Sequence, residues 1–273
     1  MRLPATARPL AYLHFARCAF QRRAAYRLAN WTGISVNFFF FLIHAQVFFA
    51  FFGARQIVSG WTAEDAVLYF ATSEALLMVL GLMSTGAGME FADRVRNGDV
   101  AIDLARPVRL WARFVAESYG SGAYYAVTRT IVLYGAAVLL YRLPLPLRPE
   151  VLLAPLSILL AIGVAAAMMY LASATAFWSE QPQGTLNILL VAIFFFGGIV
   201  VPLDFYPTAA RLAADVLPFR AAIYTPVALS AGKLSGGALA FGLFHQLFWL
   251  ALLLFLAAEV ERRGLARVAV QGG

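Results

Sequence analysis

The sequence contains one cysteine, one lysine and few charged side chains, and these scarcities exclude several classes of protein. A single thiol, Cys18, permits neither an intramolecular disulfide nor a metal cluster built on cysteine. Charged residues make up 13% of the chain and hydrophobic residues 62%, whereas globular proteins have about 25% and about 45–50%. A soluble fold of 273 residues could not cover so much apolar surface. The composition predicts an integral membrane protein.

Catalytic signatures are also missing from the sequence. The chain has no Gly-x-Ser-x-Gly, no His-Glu-x-x-His and no carboxylates clustered on one face. Two isolated histidines, His44 and His245, do not make a metal site. Gly232-Lys233 does not complete a nucleotide-binding loop, because residue 227 is Val and Leu234 stands where Ser or Thr is required. We therefore expect this chain to contain no catalytic residue and to bind no cofactor or metal itself.

Long apolar runs occupy most of the chain. Crossing the hydrocarbon layer as a helix takes about 20 mainly apolar residues. Six runs approach or exceed that length: residues 34–52, 66–89, a third from after Pro107 to near Leu140, 151–178, 185–201 and 238–258. We predict an all-α integral membrane protein with six transmembrane helices in a domain over residues 31–260.

Residues 1–30 are predicted to form a basic tail and an interfacial helix. Leu13, Ala16, Phe20 and Ala24 follow a helical spacing. The other face of the same helix carries His14, Arg17 and Gln21. A basic amphipathic helix before the first span is typical of a helix that lies along the membrane surface. A polar N-terminal tail is the alternative.

Positive charge is distributed unevenly between the two sides of the predicted topology. With the N-terminus inside, the cytoplasmic segments hold fourteen arginines: Arg2, Arg8, Arg17, Arg22, Arg23, Arg27, Arg94, Arg96, Arg106, Arg109, Arg113, Arg262, Arg263 and Arg267. The outer segments hold six basic residues: Arg55, Arg142, Arg148, Arg211, Arg220 and Lys233. Because cytoplasmic loops carry the excess, both termini are predicted to face the cytoplasm, including a tail over residues 261–273.

A dense polar segment, EFADRVRNGDVAIDLARP, separates the second and third runs at residues 90–107. Topology alone leaves it as either a solvated loop or a docking element for a soluble partner. A short helix there would project four charged side chains into the cytoplasm: Asp93, Arg94, Arg96 and Asp99. It would leave four apolar side chains to fill a groove on a partner: Val95, Val100, Ile102 and Leu104.

Two ionisable side chains, Glu74 and Arg129, fall about 12 Å deep in predicted spans at 1.5 Å per residue. A charge at that depth is costly unless it pairs or faces water. We predict a Glu74–Arg129 ion pair, or separate placement of each in a polar cavity, with a role in packing alone or in the substrate path. Four other polar residues of the apolar runs are predicted to form hydrogen bonds between helices: His44, Gln46, His245 and Gln246.

The segment between the fifth and sixth runs fits no simple loop. Prolines recur there at irregular intervals, at Pro202, Pro207, Pro218 and Pro226, and they prevent a continuous span. Residues 209–217 and 221–229 are short and apolar enough to dip back into the outer leaflet. We therefore predict a re-entrant segment over residues 202–230.

This layout resembles the membrane subunits of type-2 ABC exporters. In that family an interfacial helix precedes six spans, a cytoplasmic coupling helix lies between spans two and three, and two short re-entrant helices precede span six. The local motifs agree, with Glu90, Arg94, Arg96, Gly98, Leu104 and Pro107 after the second run, and Gly197, Gly198, Pro202, Pro207 and Pro218 after the fifth. The length and the ending resemble a branch of short stand-alone bacterial permeases.

The resemblance implies a function for each of these segments. It implies coupling to an ATPase through Glu90, Asp93, Arg94, Arg96, Gly98, Asp99, Leu104, Arg106 and Pro107. It implies an outer gate at Gly197, Gly198, Pro202, Pro207 and Pro218. ATP and Mg would be bound by separate ABC ATPase subunits, since no nucleotide-binding domain is fused to this chain.

The resemblance also implies partners and a location. The chain is expected to form a homodimer, or a heterodimer with a sibling permease, among the lipids of the bacterial inner membrane and without nucleic acid. The resemblance selects no substrate. A non-catalytic assembly or scaffold subunit is an alternative function, and a membrane-embedded enzyme is a less supported one.

Overall fold

The computed structural model describes residues 9–53, 57–83, 86–104 and 108–267. Within these residues the chain forms helices joined by turns, and the β-type contact is an isolated bridge between Val58 and Trp61. The all-α prediction is therefore confirmed for the described part of the chain.

The helices follow one another with short connections. The first half contains α1 (Pro9–Ala25), α2 (Arg27–Phe52), α3 (Ala63–Val79), α4 (Gly86–Arg96), α5 (Val100–Leu104), α6 (Leu110–Tyr125), a π-helical turn (Ala126–Thr130) and α7 (Ile131–Tyr141). The second half contains a 3₁₀ turn (Pro149–Leu153), α8 (Ala154–Ser173), a 3₁₀ turn (Ala174–Phe177), α9 (Pro182–Phe196), a 3₁₀ turn (Leu203–Phe205), α10 (Thr208–Val216), α11 (Phe219–Ala222), α12 (Tyr224–Ser230) and α13 (Gly236–Leu265). The π-helical turn makes α6 and α7 one continuous helix.

Among the described residues, four helices are long and apolar enough to cross a membrane. They are Asn30–Phe52, Leu110–Tyr141, Pro149–Phe177 and Gly236–Leu265. A fifth candidate is the pair Thr208–Val216 and Phe219–Ser230, which is bent by 77°. The predicted count of six is not confirmed, because α3 and α9 have only 17 and 15 residues, about 25 and about 22 Å of helix.

The predicted second span, residues 66–89, is wrong in its extent. α3 ends at Val79, and the chain then turns through Gly81 at φ 70°. The Leu82 N–H donates to the Leu77 carbonyl at 2.8 Å, and the Gly81 N–H donates to the Met78 carbonyl at 3.1 Å. This pattern is a Schellman C-cap, which favours glycine at its left-handed position. The glycine therefore ends the helix although the apolar run continues.

α8 lies at the centre of the bundle and packs against α6, α9 and α13. Its buried face is rich in alanine over residues 161–172. Small side chains let helix backbones approach closely, which supplies packing energy inside a membrane. Large apolar side chains near its start point outward instead, as Leu152, Leu156 and Leu159 do. An outward apolar face of this kind is what lipid-exposed helices present.

α1 is confirmed as a helix, and it lies along α6. The two backbones approach so closely that a Cβ on Gly120 would overlap the carbonyl oxygen of Ala16. Ala16 of the predicted apolar stripe thus faces α6, whereas Leu13 is 67% exposed. The position of α1 at the membrane surface stays a prediction, and an exposed Leu13 is the kind of side chain that it requires.

The predicted re-entrant segment folds into short helices. Pro202, Pro207 and Pro218 each stand immediately before a helical turn, namely the 3₁₀ turn at residue 203, α10 and α11. Proline is tolerated at a helix start because its missing N–H would have no intrahelical partner there. α12 is buried along its whole length, whereas α10 exposes Leu212 and Val216. Insertion of this segment into the outer leaflet stays a prediction.

Candidate functional site

The segment formed by α4 and α5 is anchored to the bundle by its own apolar side chains. Phe91, Val95 and Val100 are buried in a cluster with Tyr170 and Phe177. The ring centroids of Phe91 and Tyr170 lie 5.0 Å apart. Val95 and Val100 are therefore buried inside this chain, and the prediction that they fill a groove on a partner is wrong.

Asp103 binds two guanidinium groups on the inner side of this segment. Arg94 and Arg113 both form ion pairs with its carboxylate, and Arg113 also bonds Glu117 at 2.7 Å. Asp103 is 3% exposed, so these pairs supply the partners that a buried carboxylate requires. The Arg94 guanidinium is directed towards Asp103, and 30% of its side-chain surface stays exposed, so a contact of Arg94 with a partner stays a prediction. The network links α4 and α5 to α6.

The opposite side of the segment is exposed. We call its five exposed residues the docking rim: Arg96, Asn97, Gly98, Asp99 and Ile102. Gly98 forms the turn between α4 and α5 at φ 80°. Glu90 is exposed, whereas Asp93 and Leu104 are half-buried. Arg106 and Pro107 lie outside the described residues. The structure thus separates the predicted coupling residues into an outward set and an inward set.

A groove of about 580 Å³ opens beside the docking rim. One of its walls is formed by residues 95–98, and the other by residues 176–180 together with Arg267. Trp178 in this second wall is 44% exposed. Tryptophan and arginine are typical anchors of protein interfaces. The sequence reasoning missed this wall, although Trp178 and Glu180 stand at the polar break after an apolar run.

Glu74 and Arg129 are connected through Asn37. The Asn37 amide nitrogen donates to Glu74 Oε1 at 2.7 Å, and the Arg129 guanidinium donates to the Asn37 amide oxygen. All three residues are buried. No ion pair joins Glu74 to Arg129 directly in the described part of the chain, so the predicted direct pair is wrong. We call these three residues the intramembrane chain.

The surroundings of Arg129 leave room for its guanidinium. Arg129 lies in the π-helical turn Ala126–Thr130, a distortion that is frequent at functional sites. A Cβ on Gly33 would overlap the guanidinium, so the guanidinium occupies the space that the glycine of α2 leaves open. Arg129 also donates to the Asn30 carbonyl at 3.3 Å, and it lies 5.7 Å from the centroid of the Tyr125 ring. These contacts supply partners that a charge requires among apolar helices, although the Arg129 Nε atom has no hydrogen-bond partner among the described residues.

The predicted outer-gate glycines lie at the end of α9. Gly197 follows the helix, and Gly198 reverses the chain at φ 72°. The Tyr69 hydroxyl donates to the Gly198 carbonyl at 2.5 Å, and the Ser73 hydroxyl donates to the Ile199 carbonyl at 2.8 Å. α3 thus satisfies carbonyl groups that the chain leaves free after the helix. A gating function for these residues stays a prediction.

Asp204 connects the loop before α3 to the short helices after α9. Its carboxylate accepts hydrogen bonds from the Trp61 indole at 3.0 Å and from the Tyr224 hydroxyl at 2.6 Å. A second link on this side is the ion pair of Lys233 with Asp65 at 2.7 Å. The sequence reasoning did not find Asp204, because a single aspartate among prolines carries no spacing pattern.

Two of the four polar residues assigned to contacts between helices make them. Gln46 donates to the Tyr141 hydroxyl at 3.2 Å, and Gln246 donates to the Ser157 carbonyl at 3.0 Å. The two histidines form hydrogen bonds with residues of their own helices: His44 with the Phe40 carbonyl, and His245 with the Trp249 indole. The His44 ring also stacks on the Phe70 ring of α3, with centroids 4.1 Å apart. The prediction is confirmed for the glutamines, and hydrogen bonds between helices stay a prediction for the histidines.

The apolar helices of this chain, together with its largely apolar outer surface, define a multi-pass helical membrane protein. Residues 34–272 match the family described as ABC-2 family transporter protein. Because the match covers most of the chain, the chain belongs to this family of ABC transporter permeases, and the resemblance to type-2 ABC permeases is confirmed. A comparison with individual curated proteins gives no match.

Proposed function

We propose that this chain is the transmembrane subunit of an ATP-driven ABC exporter and that residues 90–107 couple it to separate ATPase subunits. Two such subunits, identical or paired with a sibling permease, form the substrate path as a dimer. ATP and Mg²⁺ are bound by the ATPase partner. The complex lies in a bacterial cell membrane, with both termini of this chain on the cytoplasmic side.

The observation that supports the proposal most directly is that α4 and α5 have one side packed against the bundle and an opposite side that is exposed. The inner side is fixed by Phe91 and by the ion pairs of Asp103, while the outer side presents the docking rim. Stable interfaces combine apolar anchors with a polar rim that sets orientation. Ile102 is 63% exposed and supplies an apolar contact among charged neighbours. A loop that only meets solvent would need no buried network behind it.

The ion pairs of Asp103 also connect the docking rim to α6, so a movement of the rim can be transmitted to helices in the membrane. Arg113 belongs to α6, and the continuation of α6 carries Arg129. Arg129 contacts Asn37 on α2, and Asn37 contacts Glu74 on α3. When the ATPase subunits close, α4 and α5 move with them, and the movement of α6 displaces the intramembrane chain.

The remaining predicted residues belong to the path and to its outer end. Glu74 and Arg129 brace or line the substrate path, and the outer gate consists of Gly197, Gly198, Pro202, Pro207 and Pro218. Six crossings require that α3 and α9 span the bilayer despite their length. Short helices are accommodated by local thinning of the bilayer, at a modest cost for each ångström of mismatch.

Removing the docking rim should separate the permease from its ATPase. In the full chain, Arg96→Ala, Asp99→Ala and Ile102→Ala together should lower the amount of co-purified ATPase by at least about tenfold. A tenfold change in affinity corresponds to about 1.4 kcal/mol of binding free energy. Loss of an apolar anchor together with two charged neighbours typically costs more than that. The measurement is the ratio of ATPase to tagged permease after detergent purification.

The matched control is Arg262→Ala with Arg263→Ala. Both side chains are exposed, at 71% and 69%, and neither lines the groove beside the docking rim. This variant should retain the ATPase. Full retention by a folded docking-rim variant would reject the coupling proposal and would favour a scaffold subunit. A membrane-embedded enzyme would instead show turnover without any ATPase.

A further inference from the structure

A second cavity, of about 380 Å³, opens where α1, α3, α4 and α6 meet. It shares no lining residue with the groove beside the docking rim within the described chain. Its volume lies within the about 300–1,000 Å³ that is typical of small-molecule sites. Part of its wall is apolar and is formed by Met78, Leu80 and Phe114. The cavity thus combines a polar side with an apolar side.

The charged groups of this cavity do not all satisfy one another. Two of its arginines and two of its carboxylates belong to the Asp103 network. Arg22, Arg23 and Glu90 remain, and none of them forms an ion pair with another described residue. The Arg23 Nε atom is buried and has no hydrogen-bond partner among the described residues. Two guanidinium groups with an unfilled donor fit an anion that only accepts hydrogen bonds.

The position of the cavity, near the start of the first candidate span, indicates which kind of molecule carries this anion. Arg22 and Arg23 lie in the last turn of α1, and the first candidate span starts at Asn30. Leu28 and Trp31 are 82% and 65% exposed. Exposed tryptophan is typical of the boundary between membrane and water, where lipid phosphates lie. The acyl chains of a lipid whose phosphate is bound in the cavity would then extend along the apolar surface next to it.

We propose that this cavity binds the phosphate group of an anionic phospholipid between Arg22 and Arg23. Glu90 lies in the same cavity and repels a second negative charge, so a phosphodiester with one charge fits better than free phosphate. The bound lipid would sit next to the intramembrane chain through Tyr125. The Arg23 guanidinium lies 5.8 Å from the Tyr125 ring centroid, and the Arg129 guanidinium lies 5.7 Å from it.

Native mass spectrometry of the full chain tests this site without any ATPase. The chain is released from micelles that contain equal amounts of phosphatidylglycerol and phosphatidylcholine. We expect it to retain phosphatidylglycerol about tenfold better, since basic side chains near the membrane surface each favour anionic lipid. Arg22→Gln with Arg23→Gln should bring the ratio close to one, whereas Arg22→Lys with Arg23→Lys should keep most of the preference.

Arg17→Gln with Arg27→Gln is the matched control, because both arginines are exposed near the same corner and neither lines the cavity. This variant should keep the preference for phosphatidylglycerol. An equal loss in this control would overturn the site, because general surface charge would then explain retention. Displacement of the lipid by millimolar inorganic phosphate would overturn the lipid assignment in favour of a free anion. All variants are first compared with the wild type by gel filtration and melting temperature.

Discussion

Arg129→Met should destabilise the chain by about 3–5 kcal/mol, which is the usual cost of removing one partner from a buried charged network. The substitution leaves Glu74 as a buried carboxylate whose contact is the Asn37 amide, and it empties the space beside Gly33. For a chain of this size the loss corresponds to roughly 10 °C of melting temperature. The measurement is thermal unfolding of the purified chain in detergent, followed by gel filtration.

A double variant separates loss of charge balance from loss of volume. Glu74→Gln with Arg129→Met removes both charges and should recover most of the melting temperature. Exchanging the charges, Glu74→Arg with Arg129→Glu, should not restore it, because the space for a guanidinium lies against Gly33 and not beside residue 74. Arg148→Met at an exposed position should change little. A double variant that is less stable than Arg129→Met would contradict the connection of Glu74 to Arg129 through Asn37.

Gly120→Ala should release α1 from α6. The added Cβ meets the backbone carbonyl of Ala16, which cannot rotate away as a side chain could. Overpacking costs about 1–3 kcal/mol where side chains can adjust, and we expect at least that cost here. Two measurements check the expectation: a lower melting temperature, and faster trypsin cleavage at Arg17 and Arg22 as α1 becomes accessible.

Gly135→Ala is the matched control for this substitution. Gly135 lies in α7, and a Cβ there meets no described heavy atom within 4 Å. Alanine favours a helix over glycine by up to about 1 kcal/mol, so this variant should be unchanged or slightly more stable. If Gly120→Ala behaved like Gly135→Ala in both measurements, close packing of α1 on α6 would be wrong.

The sequence predicts the helical membrane class well, because composition and long apolar runs report directly on burial in lipid. It fails at the end of α3. Residues 80–89 contain no charged side chain, and hydropathy does not register the left-handed turn at Gly81 that ends the helix. The π-helical turn around Arg129 is equally invisible, because its surroundings are long-range: the turn packs on α3, and Arg129 contacts Asn30 and Asn37 of α2.

The candidate site is predictable in position but not in detail. Charge density identifies residues 90–107, yet Arg94 and Arg96 differ in sequence only by their place on the helix. Arg94 forms an ion pair with Asp103, which lies beyond the turn at Gly98, and no local sequence pattern predicts that contact. Asn37 was missed for a similar reason, because one amide before four phenylalanines looks like an isolated polar residue. Long-range partners decide both cases.

Contact between the docking rim and an ATPase can be measured by photo-cross-linking in the assembled complex. A photoreactive amino acid is placed at Asp99 in the rim, at Trp178 in the facing wall, or at Leu147, which is 90% exposed between α7 and α8. We expect cross-links to the ATPase from Asp99 and Trp178 and none from Leu147. A complex that hydrolyses ATP but gives no cross-link from Asp99 or Trp178 would contradict coupling through this segment.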